Sequence, residues 1–281
     1  MKVDSHVHIT PPDIIANWPK YTKNEPYFSL LSNAKHNVYA SAKDVINVME
    51  ADKFDRAVVF GFAFRDMGLC RYVNDYVIES IRKYPDKLIG FAVVPPENKD
   101  TAREIERCYN AGLRGVGELF PAGQKIDLIN ADKTSSITNT CKELNIPLML
   151  HANETVGHEY AGKTDIPMVN LENFVSNNPE LKIILAHFGG GILFFETMKE
   201  IKEKFKNVYY DTAIAPFLYD YKIYDCIKAL DLCKKILFGS DFPVLPPSRY
   251  MEAFDSCNLS DEEKRLIFGA NAEKLLGLNP S

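Results

Sequence analysis

The chain has 281 residues, a formal net charge of −5 and an apolar content of 46%. This length allows a large buried core, and the acidic balance argues against nucleic-acid binding, which usually needs a basic surface. The N-terminus MKVDSHVHIT lacks the apolar core of a signal peptide, and no stretch approaches the ~20 apolar residues of a membrane span. The six cysteines are scattered without a CxxC pair, as is typical of reduced thiols. We therefore expect a cytoplasmic protein with no membrane or nucleic-acid partner.

Short apolar segments alternate with segments of helical periodicity along the whole chain. Near-continuous apolar character is typical of parallel strands that are covered on both faces. The predicted strands are 2–8, 56–62, 88–94, 115–120, 147–153, 182–188, 208–212 and 236–241. This alternation predicts an α/β fold, a (β/α)₈ TIM barrel that forms a single domain over residues 1–281. An open doubly wound sheet is the alternative, but no G-x-G-x-x-G motif follows the first strand.

Two connections are long for a barrel of this kind. Residues 9–40 follow the first strand and include the aromatic residues Trp18, Tyr27 and Phe28. We expect this long loop to cover the barrel mouth, because loops of such length are uncommon without a function. Residues 154–167, after the fifth strand, are expected to form a second loop at the rim.

Side chains that can bind a metal stand at the ends of the predicted strands. His6 and His8 are two residues apart, so their side chains point to the same face of the first strand. The fifth, sixth and eighth strands end at His151, His187 and Asp241. In a (β/α)₈ barrel these strand ends open at one mouth, and imidazole and carboxylate groups are typical ligands of Zn²⁺ and related ions. The predicted ligands of a divalent ion, expected to be Zn²⁺, are His6, His8, His151 and Asp241.

The residues alone leave more than one role open for His187 and Glu118. His187 either binds a second ion or orients the attacking water or the substrate. Glu118, in GVGELFP at the end of the fourth strand, either bridges two ions, anchors a polar substrate group or forms a salt bridge with a rim residue such as Arg114. Asp241 is expected to act both as a ligand and as a proton acceptor.

Together these motifs resemble the amidohydrolase superfamily, specifically its amidohydrolase-2 branch. The matching features are HVH at 6–8, the strand-end His151, AHFGGG around His187, GSDFP around Asp241 and the closing GANAEKLLGL. The resemblance spans essentially the whole chain and implies a (β/α)₈ fold with one divalent ion. It also implies that His187 activates the metal-bound water. A second ion, with Glu118 in place of the carboxylated lysine of some members, is an open alternative.

The resemblance implies one of two chemistries. We expect a hydrolase, in which a metal-bound hydroxide attacks the carbonyl of a small amide, ester or lactone. The alternative is non-oxidative decarboxylation of a small unsaturated or aromatic acid, as in aminocarboxymuconate-semialdehyde decarboxylase. A second alternative is a non-catalytic, metal-stabilised binding protein. The surplus polar groups of His187 and Glu118 argue against it, since a closed structural site needs neither.

The substrate is expected to be a small molecule that contacts the loops at the barrel mouth. Arg65, after the second strand, and Arg249, after the eighth, are candidates for a bidentate contact with a substrate carboxylate. Trp18 and Phe217 are candidates for an apolar pocket wall. Because members of the branch often assemble into dimers or larger oligomers, a homo-oligomer is a further expectation.

Overall fold

A computed structural model describes residues 1–35 and 37–278 as a barrel of parallel strands surrounded by helices. The strands are β1 (Val3–His8), β2 (Arg56–Phe60), β3 (Leu88–Gly90), β4 (Val116–Leu119), β5 (Leu148–Leu150), β6 (Ile183–Leu185), β7 (Val208–Asp211) and β8 (Ile236–Leu237). Each predicted strand is present, and all eight are shorter than predicted. The chain leaves the strand ladder before several of the polar residues at the barrel mouth, which frees those residues to point into a site.

Helices connect the strands. They are α1 (Pro12–Asn17), α2 (Pro26–Ser32), α3 (Ala42–Asp52), α4 (Met67–Lys83), α5 (Thr101–Asn110), α6 (Pro121–Gln124), α7 (Ala131–Glu143), α8 (Met168–Asn177), α9 (Lys199–Lys204), α10 (Ala215–Leu218), α11 (Lys222–Ala229), α12 (Met251–Ser256), α13 (Asp261–Arg265) and α14 (Asn271–Leu276). Short 3₁₀ segments lie at Trp18–Tyr21, Cys233–Lys235 and Pro247–Tyr250, 3₁₀ turns lie within His187–Thr197, and a π-helical turn, Leu266–Ala270, joins α13 to α14. Within the described ranges, no helix combines the length and apolar character needed to cross a bilayer.

Two helices begin with a capping box. The Ser41 side chain accepts a hydrogen bond from the backbone N–H of Asp44, whose carboxylate accepts one from the backbone N–H of Ser41. Ser260 and Glu263 make the same reciprocal pair at the start of α13. Each box satisfies two backbone donors that the first turn of a helix leaves unpaired.

The strands pair in parallel in chain order, as β1-β2-β3 and as β4-β5-β6-β7-β8. Two bridges join these sheets, one between Ala92 and Val116 and one between Val7 and Phe242. The backbone N–H of His8 donates to the carbonyl of Phe242 at 2.8 Å across the second junction. This circular order confirms the predicted (β/α)₈ fold and brings all strand ends to one mouth.

The long connection after β1 differs from the predicted loop because it contains α1 and α2. Pro12 and Pro26 are the first residues of these helices, where the fixed φ of proline favours a helix and its missing N–H costs nothing. Phe28, on α2, is buried, and its ring centre lies 5.0 Å from that of Phe62 and 4.9 Å from that of Phe64. These aromatic contacts anchor the connection over the barrel mouth.

Candidate active site

His6 and His8 direct their Nε2 atoms to the same point at the end of β1. The two atoms are 3.4 Å apart, and His6 is fully buried. The Nδ1 of His6 lies 2.8 Å from Oδ2 of Asp211. Because a carboxylate only accepts hydrogen bonds, Nδ1 of His6 carries the hydrogen. The lone pair of Nε2 therefore faces the site in the neutral ring.

Asp241 completes a compact group of donors with these two histidines. Its Oδ1 lies 3.6 Å from Nε2 of His6 and 3.2 Å from Nε2 of His8. One donor atom from each of the three residues lies within 4.8 Å of the other two. Asp241 has a left-handed φ of 60°, and its N–H donates to the carbonyl of His6 at 2.9 Å. Such backbone conformations are uncommon outside glycine and often occur at functional sites.

Glu118 stands between this group and a second one. Its Oε2 lies 3.6 Å from Nε2 of His6 and 3.6 Å from Nε2 of His8. Its Oε1 lies 3.4 Å from Nε2 of His187. His6, Glu118 and His187 thus form a second group whose donor atoms lie within 4.8 Å of one another.

His151, predicted as a ligand, lies outside both groups but contacts the second. Its Nδ1 is 3.0 Å from Oε1 of Glu118 and 3.2 Å from Nε2 of His187. Its Nε2 donates to the carbonyl of Gly162 at 3.0 Å, and Nδ1 of His187 donates to the carbonyl of Ala213 at 3.1 Å. Each ring therefore turns its other nitrogen, an acceptor when the ring is neutral, toward the Glu118 carboxylate. Three acceptors at such distances require positive charge between them, supplied by protons or by a cation.

The pKa values show the same need for positive charge. Burial alone would lower the pKa of His6, but nearby carboxylates, Asp211 foremost, raise it to about 10. Burial also opposes the protonation of His187, yet Glu118 raises its pKa to about 9. Burial would raise the pKa of Glu118, but the surrounding histidines hold it well below its usual value. A divalent cation satisfies this electrostatic condition, and the mixed imidazole and carboxylate donors suit such an ion.

The glycine run that follows His187 allows a tight turn beside the site. His187 and Phe188 have left-handed φ values of 55° and 53°, and the following glycines continue in that region. A Cβ on Gly190 would lie 2.2 Å from the carbonyl oxygen of Asn153. The AHFGGG motif is therefore needed for close backbone approach between the segments that carry His151 and His187.

A cavity of about 720 Å³ opens above the donor groups. Its polar floor consists of His8, Glu118, His151, His187 and Asp241. Aromatic wall residues are Phe28, Phe62, Phe64, Phe120 and Phe217. Among the lysines and arginines of residues 1–35 and 37–278, Lys35 is the one that lines it. The size suits a small organic molecule, with a polar reacting end and an apolar body.

The residues predicted to bind substrate are only partly at this cavity. Phe217 lines it, and its contact with substrate stays a prediction. Trp18 packs against the hydrophobic core instead. The Nε of Arg65 donates to the carbonyl of Gly123, and Arg249 is exposed at the surface away from the cavity.

Comparison with known proteins adds information on the family and the reaction, which the donor groups alone leave open. A gamma-resorcylate decarboxylase of Polaromonas sp. (strain JS666) is 24% identical over 74% of this chain and 76% of its own. A 5-carboxyvanillate decarboxylase of Novosphingobium aromaticivorans, with manganese and 4-hydroxy-3-methoxy-5-nitrobenzoic acid, has a TM-score of 0.75 at 16% identity, covering 99% of this chain and 96% of that one. A dihydroxybenzoic acid decarboxylase of Polaromonas sp., with manganese and 2-nitroresorcinol, has a TM-score of 0.72 at 18% identity, covering 100% and 98%.

The expectation of a hydrolase is wrong. Curated relatives that match this chain are named decarboxylases, which favours the alternative chemistry. The error has a physical cause, since the donor groups at the strand ends are compatible with both reactions. At these identities the structural likeness shows the fold alone.

The family model described as Amidohydrolase matches residues 3–278. This match confirms the resemblance inferred from HVH and from the strand-end motifs, and it supports a metal-dependent enzyme. The clustered imidazole and carboxylate donors support a divalent ion, whereas Zn²⁺ in particular and a homo-oligomer stay predictions. The chain belongs to the amidohydrolase family.

Proposed function

We propose that this protein is a divalent-metal-dependent, non-oxidative decarboxylase of a small aromatic or unsaturated carboxylic acid. The observation that carries the proposal is the convergence of His6, His8 and Asp241 within 4.8 Å of one another, beside a cavity with aromatic walls. The decarboxylases among the relatives and similar structures support this reaction over others that the same donors permit.

His6, His8 and Asp241 would hold the ion. Burial would raise the pKa of Asp241, but His6 and His8 lower it, which keeps the carboxylate ionised and suits it to a ligand. When bound, the ion supplies positive charge that attracts the carboxylate of the substrate and polarises it. Glu118 adjoins this set as a further carboxylate, whereas Nε2 of His187 is left free to carry a proton. Mn²⁺ and Zn²⁺ are both suitable for these nitrogen and oxygen donors.

Decarboxylation breaks the bond between the substrate carbon and its carboxylate. The electron pair stays on that carbon, CO₂ leaves, and a proton takes its place. His187 is placed to deliver this proton, because its Nδ1 is fixed on the carbonyl of Ala213 and its Nε2 faces the cavity floor. A positioned imidazole of this kind contributes about 10²–10⁴-fold to a rate.

The cavity walls determine how the substrate is oriented. Phe62, Phe64 and Phe120 offer flat apolar surfaces that pack against an aromatic or conjugated body. The donor groups lie at the floor, so the carboxylate of the substrate is directed there and the ring toward the walls. The same walls limit water around the reacting carbon, which favours departure of the uncharged product CO₂.

The test is a CO₂-release assay on protein loaded with Mn²⁺ or Zn²⁺, using a panel of hydroxybenzoates and unsaturated acids in D₂O. We expect CO₂ and a product with one deuterium at the carbon that carried the carboxylate. His187→Asn should lower turnover at least about 100-fold while the protein still binds the ion. Failure of every acid to release CO₂ from protein shown to contain the ion would contradict the proposal.

A further inference from the structure

Asp211, at the end of β7, is a buried carboxylate that the predicted site does not include. It has 0% exposure. Its Oδ2 accepts a hydrogen bond from Nδ1 of His6 at 2.8 Å. Its Oδ1 accepts from the backbone N–H of His187 at 2.9 Å and from that of Ala213 at 3.1 Å. One side chain thus contacts both a candidate ligand and the segment that carries the proposed proton donor.

The contact with His6 has a chemical consequence. A nitrogen that binds a cation needs a free lone pair, and an imidazole has one only on the ring nitrogen without hydrogen. Asp211 requires the hydrogen of His6 on Nδ1, which leaves the lone pair on Nε2. Nε2 is the atom that faces His8 and Asp241. A carboxylate behind a ligating histidine also makes that histidine a stronger donor.

The contact with His187 acts on the backbone. His187 has a left-handed φ of 55°, and its N–H points at Oδ1 of Asp211. Ala213, whose N–H shares Oδ1, offers its own carbonyl to Nδ1 of His187. The Asp211 carboxylate therefore holds both the backbone of His187 and the residue that orients its ring.

We propose that Asp211 is a positioning residue of this site. It sets the hydrogen of His6 on Nδ1, and it fixes the backbone of His187. The proposal rests on the metal centre of the proposed function, and it concerns cation binding rather than the reaction. Asp211 contacts the ligand His6 and would touch neither the cation nor the substrate.

Asp211→Asn distinguishes the placement of the His6 hydrogen from a role of Asp211 in packing alone. The amide oxygen of asparagine can still accept from the two backbone N–H groups. Its amide nitrogen, however, faces Nδ1 of His6 as a donor, so the hydrogen of His6 is driven to Nε2, toward the cation position. We expect the affinity for Mn²⁺ or Zn²⁺ to fall about 10- to 100-fold, the usual effect of losing such a partner.

Glu196→Gln is the matched control. Glu196 is also a buried carboxylate, and it accepts hydrogen bonds from the hydroxyl of Tyr210 at 2.7 Å and from Nζ of Lys235 at 2.7 Å. Within residues 1–35 and 37–278, its side-chain partners are this phenol and this ammonium group, and neither is an imidazole. This variant should lose stability and keep the cation affinity of the wild type within about twofold.

The experiment measures the dissociation constant of Zn²⁺ by chelator competition, without substrate, for the wild type and both variants. Wild-type protein with ¹⁵N-labelled histidine and bound Zn²⁺ is also examined by long-range ¹H–¹⁵N correlation, which locates the hydrogen of each ring. We expect weaker binding in Asp211→Asn alone and the His6 hydrogen on Nδ1.

Wild-type affinity in folded Asp211→Asn would overturn the proposal. So would a His6 hydrogen on Nε2 in the wild-type spectrum, and this measurement decides the question even where the variant does not fold. Neither readout depends on catalysis. A protein that binds Zn²⁺ through an Asp211-dependent His6 but releases no CO₂ would leave this inference standing and remove the proposed function.

Discussion

The ring of His151 is hydrogen-bonded to the loop that follows its own strand, because its Nε2 donates to the carbonyl of Gly162 at 3.0 Å. This bond leaves Nδ1 to face Glu118 and His187. The orientation of a site histidine therefore depends on residues 154–167, the second predicted rim loop. That loop in turn is organised by Lys163, whose side chain is only 9% exposed.

Lys163→Met should loosen this loop. Nζ of Lys163 donates to the carbonyls of Val156, Gly157 and His158, at 3.1, 3.0 and 3.2 Å. Methionine keeps most of the length and removes these three bonds together with the contact of Nζ with Oε1 of Glu159 at 3.2 Å. We expect backbone amides of residues 154–167 to exchange with deuterium at least about tenfold faster, measured by mass spectrometry, because local opening becomes easier. Lys182→Met, which removes a single bond to the carbonyl of Asn145, is the control. Unchanged exchange in the loop would refute this role of Lys163.

Asn74→Ala should destabilise the fold. Asn74 is fully buried on α4, and its amide pairs with both the N–H and the carbonyl of Val93, at 2.8 and 2.9 Å. Alanine leaves two buried backbone groups unpaired, which costs about 3 kcal/mol in free energy of unfolding. Urea denaturation measures this loss. Asn33→Ala, at an exposed helix end, should change stability by less than about 0.5 kcal/mol. A loss below about 1 kcal/mol in Asn74→Ala would show that the pairing is dispensable.

Glu104 should make stability depend on pH in the acid range. Burial would raise the pKa of Glu104, but Arg107 and Asn74 lower it below its ordinary value of 4.5. A lowered pKa in the folded state stabilises the protein above the unfolded pKa, and this contribution disappears as pH falls through the folded value. The difference in unfolding free energy between the wild type and Glu104→Gln should therefore shrink with acidification. Denaturation at a series of pH values checks this, and a constant difference would be inconsistent with it.

Lys35→Met should weaken the binding of acidic substrates. Lys35 is exposed at the cavity, and its ammonium is available to attract a carboxylate that enters. Exposed charge pairs contribute about 0.2–1 kcal/mol, so KM should rise up to about fivefold while kcat is unchanged. Lys43→Met, on the exposed face of α3, is the control and should leave KM unchanged. Equal KM values in the wild type and Lys35→Met would exclude this contact.

Much of the candidate site follows from two regularities in the sequence. The period of a strand places His6 and His8 on one face, and barrel topology brings strand ends such as Asp241 together. Asp211 also ends a strand, so the same signal could have found it. It was missed because strand-end aspartates are common in turns, and because its partner His6 lies 205 residues away.

The residues that contact substrate were harder to predict, because the orientation of their side chains depends on contacts with residues far away in the sequence. Arg65 follows a strand as the other site residues do, yet its side chain is held by the carbonyl of Gly123, 58 residues away. Trp18 lies in the connection predicted to cover the mouth, but that connection folds into helices and turns this ring to the core. The choice between hydrolysis and decarboxylation depends on the substrate that fits the cavity, and strand-end spacing carries no information about it.

Anomalous diffraction from crystals soaked in Mn²⁺, collected at the manganese edge, tests the metal centre most directly. We predict a peak in contact with Nε2 of His6, Nε2 of His8 and Oδ1 of Asp241, and loss of that peak in His8→Ala. A map without a peak among these three atoms, or a peak that persists unchanged in His8→Ala, would contradict the metal centre and the decarboxylase proposed from it.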